Sequence, residues 1–356
     1  MEKEKNSMSH IRIGDRRIGP DYPAFIVAEI GINHNGDMEL AHAMIDAAAE
    51  SGADSVKFQN YRTEDFISDH RLTYEYICQG KPVVETCYDM FKRCELKRDD
   101  LMMLSEHCSR RGIVFHSTPT SPDGVEDLLS ADASVLKNGS DYLTHLPLIR
   151  AMGETGLPTV ISTGMATLCE IDEAVRTFRA TGNHGLILLH CTSSYPTPKE
   201  DVNLSRIPTL AAAFDCPVGF SDHTMGILAV VGAVMLGACW VEKHFTLDKS
   251  LPGPDHWFSS DPVEFKSQVE AVRNIEAMRG KSTVQPAASE TRGRLEYRLS
   301  CTTADALPAG HKLTEADIAF RRPGSGVPPA HAYLLLGHRL KRSLPRGTLI
   351  TLNDLE

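Results

Sequence analysis

The stretch GILAVVGAVMLGACWVEKHFTLDKSLPGPDHW, residues 226–257, decides the reading of the chain. Its first 16 residues are apolar and include three glycines. That is short of the roughly 20 residues a membrane-spanning helix needs. The pattern predicts a buried helix, a break at Gly237 and a buried strand over 238–243, which runs straight into Glu242, Lys243 and His244. A loop with two prolines, a glycine, Asp255 and a second histidine follows. Hydrophobic strands that end in polar chemistry are what a parallel-stranded barrel displays at its active-site mouth.

The same arrangement recurs along the chain. Apolar runs rich in Val, Ile and Phe predict strands at 24–30, 54–59, 112–117, 134–137, 158–163, 186–191 and 217–221, with 238–243 as the eighth. Amphipathic stretches lie between them. Residues 38–52 keep Leu40, Met44, Ile45 and Ala48 at helical spacing and stop at Gly52, and 167–182 pairs Thr167 as N-cap with a stop at Gly182. Eight fully apolar strands alternating with helices predict an α/β fold, a (β/α)8 TIM barrel, with a doubly wound open sheet as the structural alternative. A short hairpin over 11–19, turning at Gly14-Asp15, is expected in front of it, and the last barrel helix over 263–279. The barrel domain is therefore assigned to residues 1–280, a small polar linker to 281–294, and a mainly β domain of about 60 residues, marginal in size by itself, to 295–356.

Composition excludes several roles. With 42% hydrophobic and 24% charged residues the chain reads as an ordinary globular protein. A net charge of −10 argues against a nucleic-acid partner, which needs a clustered basic face. The N-terminal residues carry charges and no apolar segment of signal-peptide type, so neither export nor a membrane is expected. Nine cysteines, none in a CxxC pair, read as free thiols of a cytoplasmic protein.

Every expected strand ends in polar residues. They are Glu29 followed by Asn33 and His34; Lys57 and Gln59; His116, Ser117 and Thr118; Lys137 and Ser140; Ser162 and Thr163; His190, Thr192, Ser193 and Tyr195; Ser221, Asp222 and His223; Glu242 and His244. His223 and His244 end consecutive strands, about 4.8 Å apart in such a sheet, where two imidazoles can share a divalent metal. The alternative is two hydrogen-bonded structural histidines. Lys57 and Lys137 are costly in apolar strands unless paired. With Thr118, Ser140, Ser162 and Ser221 they would hold a phosphate or carboxylate; otherwise they form internal salt bridges to Glu29 or Glu242, or a Schiff base. His34 either contacts a ligand or braces its loop, and Cys191 is either a nucleophile or a buried thiol.

The motifs AEIGINHNGD (28–37), VKFQ (56–59), STP (117–119), STGMA (162–166), HCTSSYP (190–196), GFSDHT (219–224), EKHFTLDKSLPGPDH (242–256) and RRPGSG (321–326) resemble the sialic acid synthase family, also called nonulosonic acid synthases. The resemblance runs from about residue 20 to the end, in order and with matching spacing. It implies a (β/α)8 barrel followed by a small antifreeze-like (SAF) domain. The implied transferase reaction condenses phosphoenolpyruvate with an N-acyl-mannosamine-type aldose to a nine-carbon 2-keto-3-deoxy acid of sialic, legionaminic or pseudaminic type, releasing phosphate. It implies Mn²⁺ or Mg²⁺ and a domain-swapped homodimer in which one chain's small domain covers the other's barrel mouth. Position by position, His223 and His244 fall on metal ligands, and Lys57, Thr118, Lys137, Ser140, Ser162 and Ser221 on phosphoenolpyruvate-binding positions. Gln59, Tyr195 and Asp255 fall on sugar contacts, Arg322 on an arginine that reaches into the partner's site, and Glu29 on the acidic residue linked to proton transfer. Three positions depart from the pattern. GSDY (139–142) stands where many members read GSGE, and Ser193 stands where asparagine is common. A metal-dependent pyruvate aldolase and a catalytically impaired sugar-binding homologue are the competing readings.

Overall fold

The structure, a computed structural model, describes residues 10–356. Each short apolar run becomes a strand of one parallel sheet: β1 (Phe25–Gly31), β2 (Ser55–Asn60), β3 (Val114–Pro119), β4 (Leu136–Asn138), β5 (Thr159–Ser162), β6 (Leu186–Cys191), β7 (Val218–Asp222) and β8 (Trp240–His244). The hydrogen-bonded order is β3-β2-β1-β8-β7-β6-β5-β4, so each strand pairs with its sequence neighbour and β8 returns to β1. The two end strands, β3 and β4, lie side by side without a ladder, which makes a nearly closed eight-stranded barrel. Helices cover its outside. The chain thus has the (β/α)8 TIM-barrel fold, and the doubly wound alternative is overturned by the β8-to-β1 ladder.

Local chemistry sets the helix ends as the sequence suggests. Asp37 caps the helix Met38–Glu50 by accepting from the backbone of Glu39 and Leu40, and Gly52 turns the chain at φ +88°. Thr167 and Glu170 form a reciprocal capping box on Leu168–Arg179. The N-terminal hairpin pairs Ile11–Ile13 with Arg16–Ile18. Ile11, Ile13 and Ile18 pack with Phe25 and Trp240 in one cluster. The helix Leu228–Met235 departs from expectation: only its Val230, Ala233 and Val234 are buried, whereas Leu228 is 85% exposed. It lies in the outer helical layer, so one face meets the core and the other does not. No helix among the described residues is long and apolar enough to cross a membrane.

One glycine is fixed by strand packing. A Cβ on Gly219 would lie 2.5 Å from the Trp240 carbonyl oxygen and 2.6 Å from Leu189 Cδ2, beside a fully buried indole stacked on Phe25. Gly219→Ala is therefore expected to lower stability by about 1–3 kcal/mol, read as a lower chemical-denaturation midpoint with an unchanged slope.

The chain divides at Gly280/Lys281. The second unit, Lys281–Glu356, pairs Ser300–Thr303 antiparallel with Ile318–Arg321. Its small core includes Cys301, Leu313, Leu335, Leu340, Leu344 and Ile350. Part of the segment expected as linker is ordered as helical turns, Ala288–Glu290 and Thr291–Glu296.

Candidate active site

A cavity of about 600 Å³ opens at the C-terminal ends of the strands. It gathers Glu29, Lys57, Gln59, Thr118, Lys137, Ser140, Ser162, Tyr195, Ser221, His223 and His244, eleven residues singled out from the sequence. Asp255 lines a smaller adjoining cavity instead. Arg322 belongs to the second unit, where its exposed guanidinium lies 5.3 Å from the centre of the Tyr297 ring.

The cavity floor follows from register. Glu29 of β1 stands opposite Lys57 of β2, and His244 of β8 opposite Glu29. Lys57 Nζ bonds Glu242 Oε1 at 2.7 Å and pairs with Glu29 Oε2 at 3.2 Å, all three side chains being nearly solvent-free. Burial alone would lower the Lys57 pKa, but the two carboxylates reverse that and raise it. Burial pushes Glu29 up, against the pull of Lys57. For Glu242, burial is outweighed by Lys57 and Lys137, which hold it low. The salt-bridge alternative for Lys57 is thus realised.

Lys137 differs. Its Nζ donates to Ser162 Oγ (2.6 Å) and to the Asn138 carbonyl (3.0 Å), and no carboxylate lies within ion-pair distance among the described residues. Burial, then repulsion from Lys57, lowers its pKa. A buried cation without a counter-ion is a receptor for an anion. Hydroxyls stand ready beside it: Thr118 Oγ1 is buried without a partner, and Ser140 Oγ accepts from Gly164 N at 3.0 Å. Cys191 Sγ lies 3.1 Å from Ser140 Oγ.

The imidazole pair occupies the opposite flank. His223 and His244 have ring centres 5.6 Å apart. His223 Nδ1 donates to the Thr192 carbonyl at 2.8 Å, which assigns its proton and leaves Nε2 an acceptor, with only a long contact to Ser221 Oγ at 3.5 Å. His244 Nδ1 is buried without a hydrogen-bond partner, with Asp255 Oδ2 at 3.7 Å. Burial lowers both pKa values, so both rings are neutral at pH 7. Two neutral imidazoles, one with an unpartnered nitrogen and one with only a long hydroxyl contact, fit a divalent cation whose other positions go to water and substrate. No cluster of three or more His, Cys, Asp or Glu side chains forms a self-sufficient metal cage among the described residues. Asp255 has no charge partner that offsets burial, which carries its pKa to about 7.

Some expected mouth residues are elsewhere. His34 accepts from Gly36 N through Nδ1 and braces its loop, and His190 bonds the Val202 carbonyl. His116 sits one layer deeper, its Nδ1 2.7 Å from Ser55 Oγ and its ring against Trp240. Depth along the strand explains this: alternation puts His116 and Thr118 on one face of β3, but only Thr118, two residues further on, reaches the mouth. Other lining residues escaped the sequence reading. Tyr74 comes from a hairpin, Thr73–Cys78 with Lys81–Thr86, inserted after β2. Its two-residue turn, Gln79-Gly80, has both residues at positive φ, and an X-Gly step between Tyr/Ile and Val runs was the available signal. Asp141 and Tyr142, the departing positions, also line the cavity, as does Ser193.

A model of the NeuB family matches residues 44–284, and a SAF domain model matches residues 301–356. The chain belongs to the NeuB family. Among its NeuB relatives is N,N'-diacetyllegionaminic acid synthase of Legionella pneumophila, 40% identical over 342 residues, covering 95% of this chain and 96% of that one. Pseudaminic acid synthase of Campylobacter jejuni is 33% identical, with 94% and 98% covered. The solved N-acetylneuraminic acid synthetase of Leptospira borgpetersenii superposes with a TM-score of 0.73 at 34% identity, covering 80% of this chain and 94% of that one. The NeuB chain described here therefore belongs among nonulosonic acid synthases, with a TIM barrel followed by a SAF domain.

Proposed function

We propose that the chain is a transferase that condenses phosphoenolpyruvate with an N-acyl-mannosamine-type aldose, making a nine-carbon 2-keto-3-deoxy acid and releasing phosphate. The observation that carries this reading is Lys137, a buried cation with hydroxyl partners and no carboxylate, sharing one cavity with two neutral imidazoles. Lys137, Ser162, Ser140 and Thr118 bind the phosphate and keep it oriented while its C–O bond breaks. Lys57, fixed between Glu29 and Glu242, faces the carboxylate end, with Ser221 beside it. His223 and His244 would hold Mn²⁺ or Mg²⁺, which supplies Lewis acidity toward the sugar aldehyde. C3 of phosphoenolpyruvate bonds to C1 of the open-chain sugar, water adds at C2, and phosphate leaves. Glu29, raised by burial, takes the proton of that water. Gln59, Tyr195 and Asp255 orient the sugar. The proposed assembly is a cytoplasmic homodimer in which the SAF domain of one copy, with Arg322, covers the mouth of the other.

Phosphate release from phosphoenolpyruvate tests the reading. Metal-stripped protein with Mn²⁺ restored is expected to release phosphate only when a suitable aldose is present, from a panel of N-acetylmannosamine, its 6-phosphate and 2,4-diacetamido-6-deoxy hexoses. Product formed from free pyruvate without phosphate release would instead make it an aldolase. Metal binding with silence toward every donor and sugar would make it an impaired homologue.

A further inference from the structure

Asp255 stands in the loop 245–261 that joins β8 to the last barrel helix, Pro262–Arg279. Among the described residues nothing hydrogen-bonds its carboxylate, and the His244 ring is 3.7 Å away. The backbone beneath it therefore sets its place, and that backbone is held from the loop after β1. Asn33, buried, donates through Nδ2 to the Phe245 carbonyl (2.9 Å) and to Ser259 Oγ (3.0 Å). Ser259 Oγ in turn donates to the Asp255 carbonyl at 2.6 Å. Asn35, at φ +54° in a left-handed turn that asparagine tolerates, donates through Nδ2 to the Pro252 carbonyl at 2.7 Å and lies 3.3 Å from His256 Nε2. The His256 ring is fully buried, with Nδ1 2.7 Å from Thr246 Oγ1. Gly253, at φ +144°, lets the loop pass over it: a Cβ there would lie 2.8 Å from His256 Cδ2.

We infer that Asn33, Asn35 and His256 are positioning residues, which together fix the Asp255 carboxylate where it meets the sugar. The inference rests on the synthase reading above, in which Asp255 orients the sugar, and adds the residues that orient Asp255. None of the three lines either cavity, so they act only through what they hold. The residue types fit the task. Each asparagine amide has two N–H groups, and each finds two acceptors on the β8 loop. Aspartate has the same shape and no donor, and at position 35 it would set oxygens against the Pro252 carbonyl and a ring lone pair. His256 joins both ends of the clamp. The Thr246 hydroxyl proton goes to the Asp248 carbonyl at 3.0 Å, so Oγ1 accepts from His256 Nδ1–H, and His256 Nε2 accepts from Asn35. The ring thus ties the start of the loop to the turn after β1, with Asp255 as its chain neighbour. The turn motif Asn33-His34-Asn35 gains a purpose from this: His34 braces the turn itself, and the residues on either side grip the neighbouring loop.

In Asn35→Asp, and separately in His256→Ala, kcat/KM for the aldose is expected to fall by about 10–100-fold, the scale of loss when a contact group moves by about 1 Å. The dissociation constant of phosphoenolpyruvate, read by calorimetry without sugar, is expected to stay as in the parent. Adding either change to Asp255→Asn is expected to slow the enzyme no further, because both remove the same contact. A purely structural role would instead add its cost to that of Asp255→Asn, or weaken phosphoenolpyruvate as much as the sugar. Either result would overturn the inference with the synthase reading intact. Asn35 is only partly buried, so its variant carries the test if His256→Ala fails to fold. A crystal structure of Asn35→Asp needs no turnover: Asp255 is expected to leave its place beside His244, and an unmoved Asp255 would also overturn the inference. Silence of the parent chain toward every sugar would sink the synthase reading, and that crystal would still decide whether the clamp holds Asp255.

Discussion

Lys57→Met is expected to destabilise the barrel by about 3–5 kcal/mol, because it leaves two carboxylates buried without their cation. Glu29 and Glu242 are 2% and 4% exposed, and both reach Lys57 Nζ. Methionine keeps the length and removes the charge, so the loss reports electrostatics rather than a void. The deficit carries its own pH signature. Without the lysine, both glutamates have folded-state pKa values above the unfolded value of about 4.3, so the native variant binds more protons than the unfolded chain. Its stability therefore falls as pH rises above that value and recovers on acidification. Urea midpoints from pH 5 to pH 8 check this: a deficit independent of pH would show that the carboxylates find other partners.

Lys243→Met is the second large effect, also about 3–5 kcal/mol, and it acts on the opposite face of β8. Lys243 Nζ bonds Asp222 Oδ2 at 2.7 Å and the Gly226 carbonyl at 3.1 Å, and it also reaches the Thr224 carbonyl. Asp222 Oδ1 in turn accepts from Thr224 N at 2.8 Å. The two residues that flank His223 are thus pinned by one buried ion pair. Loosening them is expected to weaken Mn²⁺ binding by about 10–100-fold, the usual cost of losing a group that orients a ligand. Electron paramagnetic resonance of free Mn²⁺ reads the affinity apart from catalysis. A lower unfolding midpoint with unchanged Mn²⁺ affinity would show that the backbone alone holds His223.

The strands were legible because a buried parallel strand needs a short, wholly apolar run, and eight such runs separated by capped amphipathic stretches admit few folds. Residue types at the strand ends were equally legible. Their partners were not. That Lys57 takes both glutamates while Lys137 takes none depends on barrel register and on which strands face each other across the ring. His116 looked like a mouth residue because counting along β3 gives its face but not its depth. The hairpin carrying Tyr74 was missed because its pattern, with Thr73, Glu75 and Val84 exposed, lacks the continuous apolar run of the barrel strands. The outward face of Leu228–Met235 was misread because wholly apolar composition says nothing of which side packs.

The one join in the ring that has no ladder has a mechanical meaning. β3 and β4 lie side by side there without a ladder, and Thr118 and Lys137 stand on its two lips. An anion that bonded both would close the one gap that the backbone ladder leaves in the ring.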